Sequence, residues 1–475
     1  MSSCFDALKN KINNKTCAVL GFGVSNIPLV KVLIDLGVSA GITVYDKKPF
    51  EQLGEDADML SARGVRFVTG KDSFEKIAGD VIFRSPGIRP DIPALREALE
   101  RGSLLTSEIE ELLSLTCAST FAITGSDGKT TTTTLTGKFL EEAGKRVFVG
   151  GNIGTPLLEK CGEMSAEDAC VLELSSFQLM HTSRSPEYCA ITNVSPNHLD
   201  WHTDENEYFE AKKNIVGKNT RRLVVNADCT ATAAFGKEVA ARGGKEVIFF
   251  SSAKDNYADV VSGTMGAKAV YRRDGMIYLC DGHTETAMLC ESEIRLSGVH
   301  NIENYMTAIA LCSGFVTPDD ILTVAREFTG VEHRLEPVRT LDGVDYINGS
   351  IDSSPTRTIA ALSALRGRDI VLICGGYDKN LDYAPLAPAL CQSVRVLVLT
   401  GATADKIETA LRACPEYSGT PTVIRANSFE EAVILAKNNA NEGSCVLLSP
   451  ASASFDRFKN FAERGRYFKE LVRGL

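Results

Sequence analysis

Residues 123–135, ITGSDGKTTTTTL, hold the densest chemistry in the chain. An apolar run ending at Thr124 reads as a buried strand. The threonines lead into Leu135, Phe139 and Leu140 at helical spacing. Between strand and helix stand Gly125, Ser126, Asp127, Gly128, Lys129, Thr130 and Thr131. Two glycines let successive N–H groups converge, the helix start adds partial positive charge, and Lys129 adds a full one. A hydroxyl at Thr130 is placed to reach a Mg²⁺ held by phosphates. The stretch therefore predicts a nucleotide phosphate cradle. It departs from the usual GxxxxGK[ST] spacing, because Ile123 occupies the first glycine position. Asp127 puts a carboxylate in a loop for phosphate, so it must turn outward or help hold a cation.

The elements around this loop suit that chemistry. Glu173, in VLELSSFQL, ends an apolar strand, where a parallel sheet presents a Mg²⁺-associated carboxylate. Asn152 sits between glycines in VGGNIG, and His198 follows a strand in AITNVSPNHLDWH. YFEAKKNI reads as a helix, and so does the stretch from Val299 that holds Asn301 and Asn304 one turn apart. Asp274-Gly275 reads as a hairpin turn.

The whole chain is an α/β protein of 475 residues, too long for one core. Residues 1–114 alternate strands and helices around GFGVSN, with Asn26 in place of a third fingerprint glycine. Asp46-Lys47-Lys48 offers either a diphosphate or ribose contact or a solvated strand end, and Ser85-Pro86-Gly87 turns at another strand end. Residues 115–330 hold the phosphate loop on a mostly parallel sheet with a small β-rich part. Residues 331–475 alternate again: DIVLICGG, VRVLVLTG, TPTVIRA and SCVLLSP are strands of a parallel sheet. Loops at their ends should cluster Gly375, Lys379, Thr400 and the Ser449 region. The expected architecture is Rossmann-like, P-loop ATPase-like and Rossmann-like in turn.

Net charge is −10 and the sequence pI about 5.3, which argues against nucleic acid or an anionic membrane as partner. No apolar run is long enough to span a bilayer, and the first residues lack the apolar core of a leader. The 14 cysteines are scattered without CxxC pairs, as expected of reduced thiols in a cytoplasmic protein.

Several stretches together resemble one family: TGSDGKTTT, GGNIG, LELSSFQL, NVSPNHLD, the AKK of YFEAKKNI, GVHNIENYMTA, VEHRLE, GGYDK and LSPASASFDRFKNFAERG. They are similar to the ATP-dependent Mur ligases of peptidoglycan synthesis, in order and over nearly the whole chain. GFGVSN and the last two stretches point to the D-glutamate-adding branch. The resemblance implies that a carboxylate of UDP-N-acetylmuramoyl-L-alanine attacks the γ-phosphate of ATP, and that D-glutamate's amine then attacks the acyl phosphate. It implies two Mg²⁺ ions, a monomer, small-molecule partners and a cytoplasmic site in cell-wall synthesis.

The resemblance also implies roles. Lys129 takes the β- and γ-phosphates, Thr130 and Glu173 the first Mg²⁺, and His198 a second. Lys212 matches a lysine that family members carbamylate, with Lys213 leaving the register open by one. Asn301, Asn304, His333 and Arg334 approach the nucleotide. Val24, Ser25, Asp46, Lys47, Lys48, Ser85 and Asn152 serve the uridine substrate, and Lys379, Ser454 and Phe461 the D-glutamate. One departure stands out: the family carries Asp after the asparagine of YINGSIDSSPT, and here that residue is Gly349. Two other readings remain at this stage, a related amide ligase with another substrate and a catalytically silent nucleotide-binding protein. Because the ATP residues and Lys379 fall in different segments, a hinge near Gly330 is expected.

Overall fold

The computed structural model describes residues 3–38, 41–195, 201–296, 298–379 and 381–475. The chain forms two compact units, Met1–Phe328 and Thr329–Leu475.

The first unit holds two sheets. One contains β1 (Cys17–Leu20), β2 (Ile42–Asp46), β3 (Arg66–Thr69), β4 (Val81–Arg84) and β5 (Leu104–Thr106), ordered β3-β2-β1-β4-β5 and parallel throughout. Strand alternation splits its side chains between two layers. Ala18, Leu20, Tyr45 and Ile82 pack on Leu95 and Ala98. Cys17, Val19, Val44 and Phe83 face Leu29 and Leu33 on the other side. Strand order reverses between β1 and β4, so a crevice opens at their C-terminal ends. Register brings Leu20 level with Tyr45 and Arg84, which sets Gly21, Asp46 and Ser85 side by side at that edge.

The second sheet contains β6 (Ser119–Thr124), β7 (Val147–Gly151), β8 (Ala169–Glu173), β9 (Tyr188–Ile191), β10 (Arg222–Asn226), β11 (Glu246–Ser251), β12 (Lys268–Arg273), β13 (Met276–Cys280) and β14 (Glu285–Cys290). Its order is β14-β13-β12-β11-β10-β9-β6-β8-β7. Pairing is parallel from β7 across to β12 and antiparallel from β12 to β14. Asp274 and Gly275 join β12 to β13, both with positive φ, as a two-residue hairpin requires. Strands β6 and β8 are buried almost end to end, hence their continuous apolar sequence.

The second unit has one sheet: β15 (Glu336–Leu341), β16 (Val344–Asn348), β17 (Asp369–Cys374), β18 (Val394–Leu399), β19 (Thr422–Arg425) and β20 (Ser444–Leu448), ordered β15-β16-β20-β17-β18-β19. The four strands read from sequence are β17 to β20. The β15–β16 hairpin was not read. Pro337 and a half-buried, mixed-polarity pattern obscured β15, which is an edge strand.

Among the described residues no helix is long and apolar enough to cross a membrane. Among the described residues all cysteines are free thiols, and Cys117 alone is exposed.

Candidate active site

The phosphate loop joins β6 to helix Lys129–Glu142. Gly125 has φ +147°, and a Cβ there would fall 1.9 Å from Thr192 Oγ1. Gly128 has φ +77°, and a Cβ there would fall 2.3 Å from Asn304 Oδ1. Both positions need glycine for space as well as conformation. Among the described residues no side chain caps the helix, which leaves the N–H groups of its first turn, at Lys129, Thr130 and Thr131, without a capping acceptor. Lys129 Nζ folds back to donate to the Gly125 and Ser126 carbonyls at 3.0 and 2.9 Å.

The loop is held from the β9 side. Ser126 N donates to Asn193 O and Asp127 N to Asn193 Oδ1, both at 2.9 Å. Thr192 Oγ1 donates to Asp127 O at 2.6 Å. Ser126 Oγ lies 3.0 Å from Tyr208 OH. Asp127 is the exposed residue of the loop.

Thr130 Oγ1 donates to Glu173 Oε2 at 2.7 Å, and Asn152 Nδ2 to Glu173 Oε1 at 2.8 Å. Glu173 is buried at the end of β8, and the chain after β7 bends onto it, with Asn152 N donating to Glu173 O at 2.7 Å. A hydroxyl and a carboxylate meeting beside an open helix end are hard oxygen donors suited to Mg²⁺.

Lys212 comes from helix Glu205–Lys213, capped by Asp204, whose side chain accepts from Glu207 N. Its side chain is 1% exposed and donates from Nζ to Gly125 O at 2.8 Å over the Tyr208 ring. Burial first, and then the neighbouring charge of Lys129, push its pKa down to about 6. Lys213 instead pairs with Glu210 at 2.5 Å and lies against Phe209 and Phe235. Of the two lysines, Lys212 is therefore the one that enters the loop. His198 lies outside the described residues.

Asn304 accepts from Thr132 Oγ1 at 3.2 Å and donates to Asn301 Oδ1 at 3.3 Å. The asparagine pair thus borders the helix start that carries Lys129.

At the β1–β4 crevice, Val24 is 74% exposed and Ser25 half-buried. Asp46 accepts from Phe22 N at 2.7 Å and Lys48 N at 2.8 Å, so its carboxylate braces the turn. Lys47 and Lys48 are exposed, and Ser85 N donates to Leu20 O at 2.9 Å. Asn26 donates to the Leu20 and Gly21 carbonyls at 3.1 and 2.8 Å, tying the helix start to the strand. This bracing by an asparagine side chain stands where the fingerprint has its third glycine.

In the second unit, Gly375 N donates to Pro450 O at 2.8 Å, and a Cβ on Gly375 would fall 1.9 Å from Thr400 O. The Gly375, Thr400 and Ser449 turns therefore meet. Lys379 is exposed over the Phe455 ring at 5.4 Å, next to the buried Ser454. Phe461 and His333 rings pack edge to face, 6.0 Å apart, and Arg334 is exposed.

Arg464, unnoticed in the sequence, ties the Ser350 turn to the Ser452–Ala453 turn. It is 2% exposed and donates to Ser350 Oγ and O and to the Ser452 and Ala453 carbonyls, at 2.8–3.1 Å. Its partners are mostly backbone carbonyls, which leave no sequence signal. Glu332, His333 and Glu336 also converge. Lys469 already neutralises both carboxylates, at 2.5 and 2.9 Å, and Asn348 donates to His333 Nδ1 at 3.0 Å, leaving the ring proton on Nε2. That cluster is an ion-pair net.

Gly349 has an ordinary backbone conformation. A Cβ there would fall 2.7 Å from both Asp352 Oδ2 and Leu448 O. Asp352 accepts from Ser449 Oγ at 2.8 Å, and burial raises its pKa to about 6. The carboxylate of residue 352 thus fills the space of a missing side chain at 349.

Comparison with known proteins identifies the family and the fold. The model of the Mur ligase middle domain matches residues 123–312, and that of the Mur ligase glutamate ligase domain matches residues 333–452. The UDP-N-acetylmuramoylalanine–D-glutamate ligases of Ruminiclostridium cellulolyticum and Acetivibrio thermocellus are 44% and 45% identical to the chain, each over 100% of both sequences. The crystal structure of UDP-N-acetylmuramate-alanine ligase from Thermotoga maritima shares the fold, with a TM-score of 0.54 at 18% identity, covering 97% of this chain and 99% of that one. With strand, loop, lysine and carboxylate in these places and full-length relatives at this identity, the chain belongs to the Mur ligase family.

Proposed function

We propose that the protein is an ATP-dependent amide ligase that adds D-glutamate to UDP-N-acetylmuramoyl-L-alanine, forming ADP and phosphate, in cytoplasmic peptidoglycan precursor synthesis. The observation that carries this reading is the meeting of Lys129, Lys212 and the Thr130–Glu173 pair around one phosphate loop, in a chain 44% identical over its full length to a relative of that name.

The chemistry has two steps. The substrate carboxylate oxygen attacks the γ-phosphorus, and the bond to ADP breaks. The amine of D-glutamate then attacks the acyl carbon, loses a proton, and expels phosphate. Lys129 and the open helix end meet the negative charge of the transferring phosphoryl group. Thr130 and Glu173 would hold Mg²⁺, which when bound offsets charge between nucleotide and carboxylate. A neutral Lys212 amine can add CO₂, losing a proton to become an anionic carbamate, a second oxygen donor beside the loop. Asn301 and Asn304 border the nucleotide. Val24, Ser25, Asp46, Lys47, Lys48, Ser85 and Asn152 take the uridine substrate. Lys379, Ser454 and the Phe461 region take D-glutamate, where a cation and a hydroxyl suit two carboxylates.

The test is phosphate release from ATP with UDP-N-acetylmuramoyl-L-alanine and each of D-glutamate, L-glutamate, L-lysine and meso-diaminopimelate. D-glutamate alone should support turnover. Turnover with another amino acid would assign a different ligase, and none at all would leave a binding protein.

A further inference from the structure

Arg89 lies four residues past Ser85, on the turn that follows β4. Its guanidinium forks in several directions. Nε and Nη2 donate to the two Asp91 oxygens at 2.9 and 2.8 Å. Nη1 and Nη2 donate to the two Glu207 oxygens at 3.1 and 2.9 Å, and Nη1 also reaches the Trp201 carbonyl at 2.6 Å. The Trp201 ring lies 5.0 Å from the guanidinium, and its indole N–H donates to Gly87 O at 3.3 Å.

Glu207 belongs to the helix that carries Lys212. Besides Arg89, it accepts from Thr203 N at 2.9 Å and meets His202 Nδ1 at 3.2 Å. Hydrogen bonds from Arg89 hold its pKa down to about 2, so it is a carboxylate and His202 Nδ1 carries the proton. His202 Nε2 then accepts from Ser176 Oγ at 2.9 Å. Ser176 stands three residues past Glu173. The Ser176–His202–Glu207 line has the geometry of a nucleophile relay, but Ser176 is 2% and His202 3% exposed, so no substrate reaches them. The line fixes position.

One guanidinium therefore ties together the segments bearing Ser85, Glu173 and Lys212. The first belongs to the β1–β4 crevice and the other two to the phosphate loop. We propose that Arg89, acting through Glu207 and His202, is the positioning residue that aligns the uridine substrate's carboxylate with the phosphoryl group of ATP. The inference rests on the ligase reading above. A fork is needed, because a lysine keeps the charge but has three donors on one nitrogen and cannot make the paired bonds to both Asp91 and Glu207 oxygens together with the bond to Trp201 O.

The test uses the full-length variants Arg89→Lys and Glu207→Gln. Binding of a non-hydrolysable ATP analogue and of UDP-N-acetylmuramoyl-L-alanine is measured separately. ADP formation in a single turnover without D-glutamate is measured alongside. Each ligand should bind within about threefold of wild type. Single-turnover ADP formation should fall by about 100-fold, the penalty for a small misplacement of reacting groups. The double variant should be no slower than the slower single, since both act on one network. His202→Asn supplies a third, independent break should Arg89→Lys not fold. An unchanged rate in the variants would overturn the proposal, and so would a loss of ATP-analogue binding that matches the loss of rate. A wild-type protein that forms no ADP with the uridine substrate would instead overturn the ligase reading.

Discussion

Lys129 and Lys212 donate to the same oxygen, the carbonyl of Gly125, at 3.0 and 2.8 Å. Two ammonium groups on one acceptor repel, and only one of them is fully buried. Burial of Lys212 is the main reason its pKa falls, and the repulsion from Lys129 adds to it.

The fall has a sign that can be measured. Lys212 has a lower pKa folded, about 6, than its ordinary value of 10.5. Between those values the unfolded chain binds the extra proton, so this group makes stability rise with pH across that window. Its penalty is complete below about pH 6. Lys212→Met should therefore melt higher than wild type near that pH, with the gap closing towards pH 10.5. A gap that does not change with pH would mean the amine is not neutral in the fold.

The same neutral amine is the form that reacts with CO₂. Stimulation of turnover by bicarbonate should appear as pH rises through about 6. Lys212→Ala should be inactive but partly rescued by a short-chain carboxylic acid in the buffer. Rescue confined to Lys213→Ala would shift the role by one residue.

Lys129→Ala should lower turnover by at least about 100-fold, the scale for losing a group that meets transition-state charge. Lys129 stands at the first position of helix Lys129–Glu142 and is half-buried, outside the apolar core, so the melting temperature should change little. Phosphate release and thermal melting on one preparation check both halves.

Glu173→Gln keeps the shape and removes the charge: its Oε1 can still accept from Asn152 Nδ2, while its Nε2 must donate to Thr130 Oγ1. The Mg²⁺ concentration for half-maximal activity should rise by about tenfold or more. Chelation of Mg²⁺ should stop wild-type turnover and leave the circular dichroism spectrum intact.

Gly349→Ala puts a methyl group 2.7 Å from Asp352 Oδ2 and Leu448 O. Overpacking of this kind costs about 1–3 kcal/mol, read as a lower urea midpoint. Removing one of the two contacts, in Gly349→Ala with Asp352→Gly, should recover part of the loss. No recovery would place the whole clash on the Leu448 backbone.

The phosphate loop was legible because its strand, glycines, lysine and threonine are contiguous, and contiguity carries the geometry. β6, β8 and the strands β17 to β20 were legible because burial on both faces writes a continuous apolar run. Gly128 was legible as a turn, but not the reason it admits nothing larger, since Asn304 arrives from 176 residues away. The choice between Lys212 and Lys213 was illegible in neighbouring letters. It depends on which face of helix Glu205–Lys213 meets Gly125. Arg89 and Glu207 were missed for a similar reason: charged residues on turns and helices look solvated until their partners are known. Asp352 is close enough in sequence to replace the missing side chain at 349, but the tight turn that returns its carboxylate there, with Asp352 N donating to Gly349 O at 2.9 Å, is a backbone feature that the letters do not carry.

Ser126 and Asp127 are bonded through their backbone N–H groups to Asn193, and Thr192 clasps the Asp127 carbonyl. The curl of the loop is thus set by the strand beside it, before any nucleotide arrives. A loop braced in this way has little backbone freedom left to lose when a nucleotide binds, which lowers the entropy cost of binding. In the free protein, amide deuteration at residues 126 and 127 should be slow, and saturation with ATP should slow it only slightly further.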